Sequence, residues 1–327
     1  MTEAKPQLLL LGATGYIGGV LLSKWHATSF ETLSFQVTAA SRSTERLAKV
    51  EKLLGISTVC LSFDDTDRLE EQVKKYDIVV QLADCDAFEA THAILRGMKA
   101  RHEATGTRPL LYHASGAGEA GPDEEVLSDL DGGMIARLPV SLPHRNVDDA
   151  ILAADKAGYL RAYIVVPFAV FGQAEGIMHE HGIANPSSMP IPRLIAISKQ
   201  LKTVPQFGQG RNQKAWVHVE DVANLFEILL QRAPPDHGIN GFYFCENGEI
   251  GNHLVTEALA SEFFTLGIFP HEKAVALPEA KLEDGKLRYW ACTERGRSER
   301  SRSLGWQPKH DLSGLLQYVR DEVKRLG

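Results

Sequence analysis

Through the first half of the chain, short apolar runs alternate with segments whose hydrophobic side chains recur at three- and four-residue spacing. The runs are "QLLLLG" (7–12), "FQVTAAS" (35–41), "STVCLSF" (57–63), "DIVVQLA" (77–83), "PLLYHAS" (109–115) and "YIVVP" (163–167). Between them, helical spacing predicts helices over 15–27, 44–54, 66–75, 88–103 and 144–158. The strand candidates are nearly continuous in hydrophobicity rather than alternating, the pattern of a parallel sheet covered by helices on both faces. After Pro167 the rhythm changes. Residues 168–213 are rich in Gly, Pro, Ser and His, with one helix expected at 191–201, and "KAWVHVEDVANLFEILLQRA" then restores a strand and a helix. The pattern predicts an α/β chain with a Rossmann-type doubly wound parallel sheet and a smaller C-terminal substrate lobe. The core is expected to span 1–170, completed by 214–245, and the lobe 171–213 and 246–327.

Composition narrows the function classes. A chain of 327 residues that is 44% hydrophobic can bury a large core, and its net charge of -7 gives no general attraction for polyanions. Nucleic acid is therefore not an expected partner. Cys60, Cys85, Cys245 and Cys292 are scattered without a Cys-x-x-Cys pair, which argues against a zinc framework or disulfide scaffold. The N-terminal apolar run Leu8–Leu11 is too short for a signal or a membrane span. The expectation is a cytoplasmic protein with no membrane partner.

"LLLLGATGYIGG" carries the clearest chemistry. Gly12, Gly15 and Gly18 follow a strand and open a helix: Gly12 for the tight turn, Gly15 for backbone approach to a diphosphate, Gly18 for close helix packing. At the end of the second strand, where an NAD enzyme offers a carboxylate to the ribose, stands "AASRSTER". Ser41 and Arg42 suit a 2′-phosphate instead, so NADP(H) is the expected cofactor and NAD(H) the second choice. Asp64, after the third strand, can meet the adenine amino group or cap the following helix.

These motifs, with "YHASGAG" (112–118), "VVPFAVFG" (165–172), "WVHVEDVA" (216–223) and "LGWQP" (304–308), resemble the extended short-chain dehydrogenase/reductase superfamily, which holds sugar-nucleotide epimerases and dihydroflavonol-reductase-like enzymes. The N-terminal half is also similar to fungal NADP-binding proteins of the nitrogen-regulator-like branch, some of which are sensors. The resemblance implies cofactor contacts from Thr14, Tyr16, Ile17, Leu82, Ala83, His144 and Pro167, and a catalytic serine at Ser115. It also implies a Tyr-x-x-x-Lys pair on the helix before "YIVVP", and no tyrosine in the chain is followed four residues later by lysine. Counting back from Pro167 puts Val140 in the tyrosine position, His144 in the lysine position and Asp148 one turn on. A slip of one turn would put His144 in the tyrosine's place.

Ser115 can hydrogen-bond a substrate oxygen, and His144 with Asp148 four residues on would share a helix face, where the carboxylate helps the imidazole hold a proton. Ser115, His144 and Asp148 are the candidate catalytic residues. Elsewhere, His113 reads as packing on the strand side that Ser115 shares, and His218 as structural. His179 and His181 lack further ligands, so no metal is expected; with Phe168, Phe171 and Met178 they are candidates to line a substrate pocket. "RGRSERSRS" (295–303) is either a solvated basic face or an anion attractor. The reading that follows is an NADP(H)-dependent oxidoreductase on a small carbonyl, alcohol or activated double bond, with a non-standard proton relay. Its alternatives are a non-redox isomerase or lyase and a non-enzymatic NADP-binding sensor. A small-molecule substrate is expected, and a homodimer through 88–103 and 144–158 is open.

Overall fold

The computed structural model describes residues 4–117, 126–207, 210–277 and 289–327. Seven parallel strands form the main sheet: β1 (Gln7–Leu11), β2 (Gln36–Ser41), β3 (Ser57–Cys60), β4 (Ile78–Gln81), β5 (Leu110–Ala114), β7 (Arg161–Pro167) and β11 (Phe242–Cys245), β6 being the two-residue Leu127–Ser128 outside it. Their order is β11-β7-β5-β4-β1-β2-β3, so the chain reverses direction across the sheet between β1 and β4. That switch point opens a crevice at the carboxyl ends of the strands.

The apolar runs are continuous because both faces are covered. Leu8 and Leu10 of β1 join one buried cluster with Val20, Leu21 and Phe226, while Leu9 and Leu11 join another with Leu69, Ile94 and Ile151. The first face is covered by α1 (Tyr16–Thr28), α2 (Thr44–Leu54) and α9 (Val219–Arg232); the second by α3 (Thr66–Val73), α4 (Phe88–Thr105) and α6 (Arg145–Lys156). Local caps fix where helices begin: Ser43 accepts the Arg46 N–H ahead of α2, and Asp65 accepts the Arg68 N–H ahead of α3, each worth about 1 kcal/mol.

The strand restored at Gln213–His218 (β10) does not extend the main sheet. It lies between β8 (Ala169–Phe171) and β12 (Glu249–Gly251) in a three-stranded sheet. Around it packs a separate apolar cluster from Phe171, Trp216, Leu194 of α8 (Pro190–Leu201), Phe263 of α10 (Asn252–Thr265), Trp290 and Val319. Two expectations for this half are revised. Phe168 and Met178 are buried in the two faces of the main core, and Phe168 packs against Gly296. The basic run is partly solvated, with Arg297 and Arg302 exposed, and its arginines are paired with carboxylates. Arg295 holds Glu249 through two hydrogen bonds of 3.0 and 2.6 Å, Arg302 faces Glu246, and the buried Arg300 meets Asp236 at 3.1 Å.

At the junction of β1 and α1, backbone packs directly on backbone. A β-carbon on Gly18 would stand 2.3 Å from the Gly12 carbonyl oxygen, and one on Gly12 would stand 2.7 Å from the Leu82 backbone. Gly12 also has φ of +83°, which disfavours any side chain. Gly18→Ala is therefore expected to destabilise the chain by about 1–3 kcal/mol in urea unfolding; an unchanged midpoint would show that the loop can back away.

Candidate active site

The crevice at the switch point is a cleft of about 910 Å³, the size of a cofactor site. Of the residues expected to touch a dinucleotide, Gly12, Thr14, Gly15, Tyr16, Ile17, Ser41, Arg42, Asp64, Leu82 and Ala83 all line it. Gly18, His144 and Pro167 lie outside its lining: Gly18 is buried beneath the loop, and Pro167 sits at the end of β7 beside Cys245. The loop is held from both sides. Gly12 accepts the Gly15 N–H at 2.9 Å, and Thr14 Oγ1 meets Ser41 Oγ at 2.9 Å. The first turn of α1 carries no acidic residue, leaving its amide end free for an anion. Asn185 joins the rim by donating its backbone N–H to the Thr14 carbonyl.

Beyond the end of β2 the cleft holds Arg42 together with Arg46, in the first turn of α2, both exposed. Arg46 was not singled out from the sequence, although its position four residues after Arg42 was the available signal. Asp64 lines the same part of the cleft with its carboxylate accepting from Ser62 Oγ at 3.0 Å. The helix-cap role considered for Asp64 belongs to Asp65.

Beyond Ala83, the loop after β4 leads from the cleft to the remaining candidates. Buried Gln81 shapes it, accepting the Ala83 N–H at 2.7 Å and donating to the Asp84 carbonyl at 2.8 Å. Asp84 in turn accepts the Asp86 N–H at 2.9 Å. Here the expected pairing of His144 is corrected. His144 is not inside the helix but ahead of it, in a left-handed backbone conformation with φ of 68°. Its Nδ1 lies 2.6 Å from Asp86 Oδ1 and 3.4 Å from Cys85 Sγ. Its Nε2 faces the backbone of Gly116, where an added β-carbon would stand 2.7 Å away. The acidic partner of Nδ1 is thus Asp86, fifty-eight residues upstream, rather than Asp148. Val140, which the count back from Pro167 puts in the tyrosine position, is 74% exposed.

Asp148 is fully buried and binds back to β5. Its Oδ2 accepts from Ser115 Oγ at 2.7 Å, and its Oδ1 stands 3.6 Å from His113 Nε2. The expectation for Ser115 changes accordingly. Its hydroxyl proton is committed to Asp148, so what it offers a substrate is a lone pair, suited to accept from a hydroxyl. Burial, followed by the charges of Asp86, Asp84 and Asp148, pushes the Cys85 thiol up to about 12. Burial, and secondarily His144, lowers His113 to about 3, so His113 is neutral and its contact with Asp148 is no ion pair at neutral pH.

His218 caps α9 by accepting the Glu220 N–H and stacks on His310 at 3.9 Å, a structural role. His179 packs on Gly19 with its Nδ1 2.9 Å from the Glu175 carbonyl, and no cluster with His181 forms among the described residues. Gly118, at the end of the serine motif, lies outside the described residues.

A folded pKa below the unfolded value means that the unfolded chain binds the proton first, so the stability tied to His113 is present above about pH 6.5 and declines as pH falls toward 3. Between pH 7 and pH 5 this costs about 2 kcal/mol, counted from the ordinary histidine value. His113→Asn is expected to flatten the denaturation midpoint over that interval; an unaltered slope would assign acid sensitivity to other groups.

The chain is 24% identical over 334 residues to the uncharacterized protein YLL056C of Saccharomyces cerevisiae, covering 96% of this chain and 98% of the relative. Among solved structures it is similar to the PbgP3 protein of Burkholderia pseudomallei (17% identical, TM-score 0.69, 99% and 98% of the two chains). It is also similar to UDP-glucose 4-epimerase of Bifidobacterium longum in complex with NAD+ and UDP (14%, TM-score 0.66, 98% of each). A third is dTDP-glucose 4,6-dehydratase of Bacillus anthracis in complex with NAD (16%, TM-score 0.64, 98% and 96%). At these identities the likeness is one of fold. No described helix is long and apolar enough to cross a membrane. The sequence profile of one family, however, matches residues 8–240, most of the chain. This protein belongs to the NAD dependent epimerase/dehydratase family.

Proposed function

We propose that the protein is an NADP(H)-dependent oxidoreductase acting on a small carbonyl, alcohol or activated double bond. The observation that carries this reading is the adenosine end of the cleft, where Arg42 and Arg46 replace the carboxylate that would meet a free ribose 2′-hydroxyl. The residues present fit a dinucleotide: a β-carbon on Gly12 or Gly18 would fill the cradle, and the α1 amide end is unopposed by acid. Gly12, Thr14, Gly15 and Ile17 would hold the diphosphate, Ser41, Arg42 and Arg46 the 2′-phosphate, and Asp64 the adenine.

When bound, the nicotinamide supplies two-electron redox chemistry. The chain's own task is to handle the proton. Asp86 orients the His144 ring by accepting from Nδ1–H, which leaves Nε2, on the Gly116 side, as the nitrogen that exchanges a proton. Ser115, donating to Asp148, accepts from a substrate hydroxyl and fixes its oxygen. His144 and Asp86 thus take the place of the family's missing tyrosine and lysine.

Each arginine–phosphate contact is worth about 1.5–3 kcal/mol, or about 10–100-fold in affinity. Calorimetry is expected to show NADPH binding at least about tenfold more tightly than NADH, and Arg42→Ala and Arg46→Ala are expected to lower NADPH affinity by about tenfold or more while leaving NADH unaffected. Equal affinities for the two cofactors in the unaltered protein would overturn the reading. With any carbonyl substrate that supports NADPH oxidation, His144→Gln is expected to lower kcat by about 10²-fold or more. Unchanged turnover would remove His144 from the proton path.

A further inference from the structure

We propose that Cys85, Asp86 and His144 form a binding site for one divalent cation of the zinc class. The inference goes beyond the redox reading, because ion binding here needs no dinucleotide. Three unlike donor atoms, a sulfur, a carboxylate oxygen and an imidazole nitrogen, converge from two separate loops to within 4.8 Å of one another. Ligand atoms around a tetrahedral zinc with bonds of about 2.0–2.3 Å stand about 3.3–3.6 Å apart. The 3.4 Å between Cys85 Sγ and His144 Nδ1 already has that spacing. Asp86 Oδ1, at 2.6 Å from the same nitrogen, has to retreat by less than about 1 Å, and its exposed side chain is free to do so. The set also matches zinc in softness, since thiolate and imidazole prefer a borderline ion to magnesium or calcium.

The backbone holds these donors in place before any ion arrives. Gln81 and Asp84 fix the Cys85 loop, and the left-handed residue His144 presents its ring at the mouth of α6. The local charge favours a cation as well. The groups whose charges act on Cys85 are the carboxylates of Asp86, Asp84 and Asp148, with no lysine or arginine among them. Those charges oppose a free thiolate, and a bound divalent ion reverses that opposition.

Binding replaces one proton by the ion. The Cys85 S–H bond gives way to a metal–sulfur bond and that proton leaves to solvent, while the proton on His144 Nδ1 moves to Nε2, so the ring stays neutral and Nδ1 takes the ion. Ion and proton therefore compete for the Cys85 sulfur, and affinity rises with pH. A loaded site also removes the Nδ1–H that Asp86 accepts, so the ion stands where that proton otherwise does.

The test is a titration of the full chain, freed of metal by chelation, with Co2+ followed by absorbance. The expected result is one ion per chain and an intense near-ultraviolet thiolate-to-cobalt band, lost in Cys85→Ser and retained in Cys60→Ser and Cys292→Ser. His144→Gln and Asp86→Asn are each expected to weaken binding by about tenfold or more, with circular dichroism confirming that each variant is folded. No band in the unaltered protein, or a band that survives Cys85→Ser, overturns the proposal. NADPH calorimetry on the metal-free protein reports separately on the redox reading.

Discussion

The carbonyl oxygen of Gly12 occupies the space that a side chain on Gly18 would need, and the rest of the molecule is arranged around that contact. It brings the start of α1 down onto β1 and sets the Gly12 backbone against Leu82 just after β4, so β1, α1 and the end of β4 meet without a β-carbon between them. The same closeness makes the switch point a cleft rather than a packed seam. Amides at the start of α1 border the cleft, because the glycines at 12 and 15 keep side chains out of the turn that leads to them. Stability and binding therefore depend on one feature, and a change there affects both.

What could be read from the sequence was what depends on local order. Six of the seven main-sheet strands appeared as apolar runs because burial on both faces removes alternation, and the helices between them kept their period. The cleft was readable for a related reason: in a doubly wound sheet each strand ends at the same rim, so residues following successive strands are brought together by topology alone. Gly12, Ser41, Asp64 and Leu82 are far apart in sequence and line one cavity. The seventh strand, "FYFC", is four residues with no periodicity to mark it, and β10 reads as a core strand yet pairs in the smaller sheet.

The chemistry beyond the cleft was less readable, since it depends on loop conformation. Helical periodicity pairs His144 with Asp148, but a left-handed residue ahead of the helix does not obey that periodicity. It swings the ring toward the β4 loop, and no spacing rule links position 144 to position 86. Asp148, inside the helix and fully buried, does follow it, and points at the sheet where Ser115 and His113 wait. The basic run follows its expectation in part, with Arg297 and Arg302 exposed, but the pairing of its arginines could not be read. Charge counting along a sequence cannot see Glu249, Glu246 and Asp236 arriving from other segments to pair with it.

Electrostatics connects these departures. A tyrosine–lysine pair brings a permanent cation to the proton-transfer point. Here Asp84, Asp86 and Asp148 surround Cys85, with His144 beside it, and no tyrosine is followed four residues later by lysine. Asp84 and Asp86 are exposed and Asp148 is buried against Ser115, so the region carries negative charge at its rim with no fixed cation to match it. Losing the lysine therefore does more than remove a proton relay. It leaves a histidine set against Asp86 with further carboxylates around Cys85, so any cation held there, proton or metal, is held by these side chains and not by a lysine.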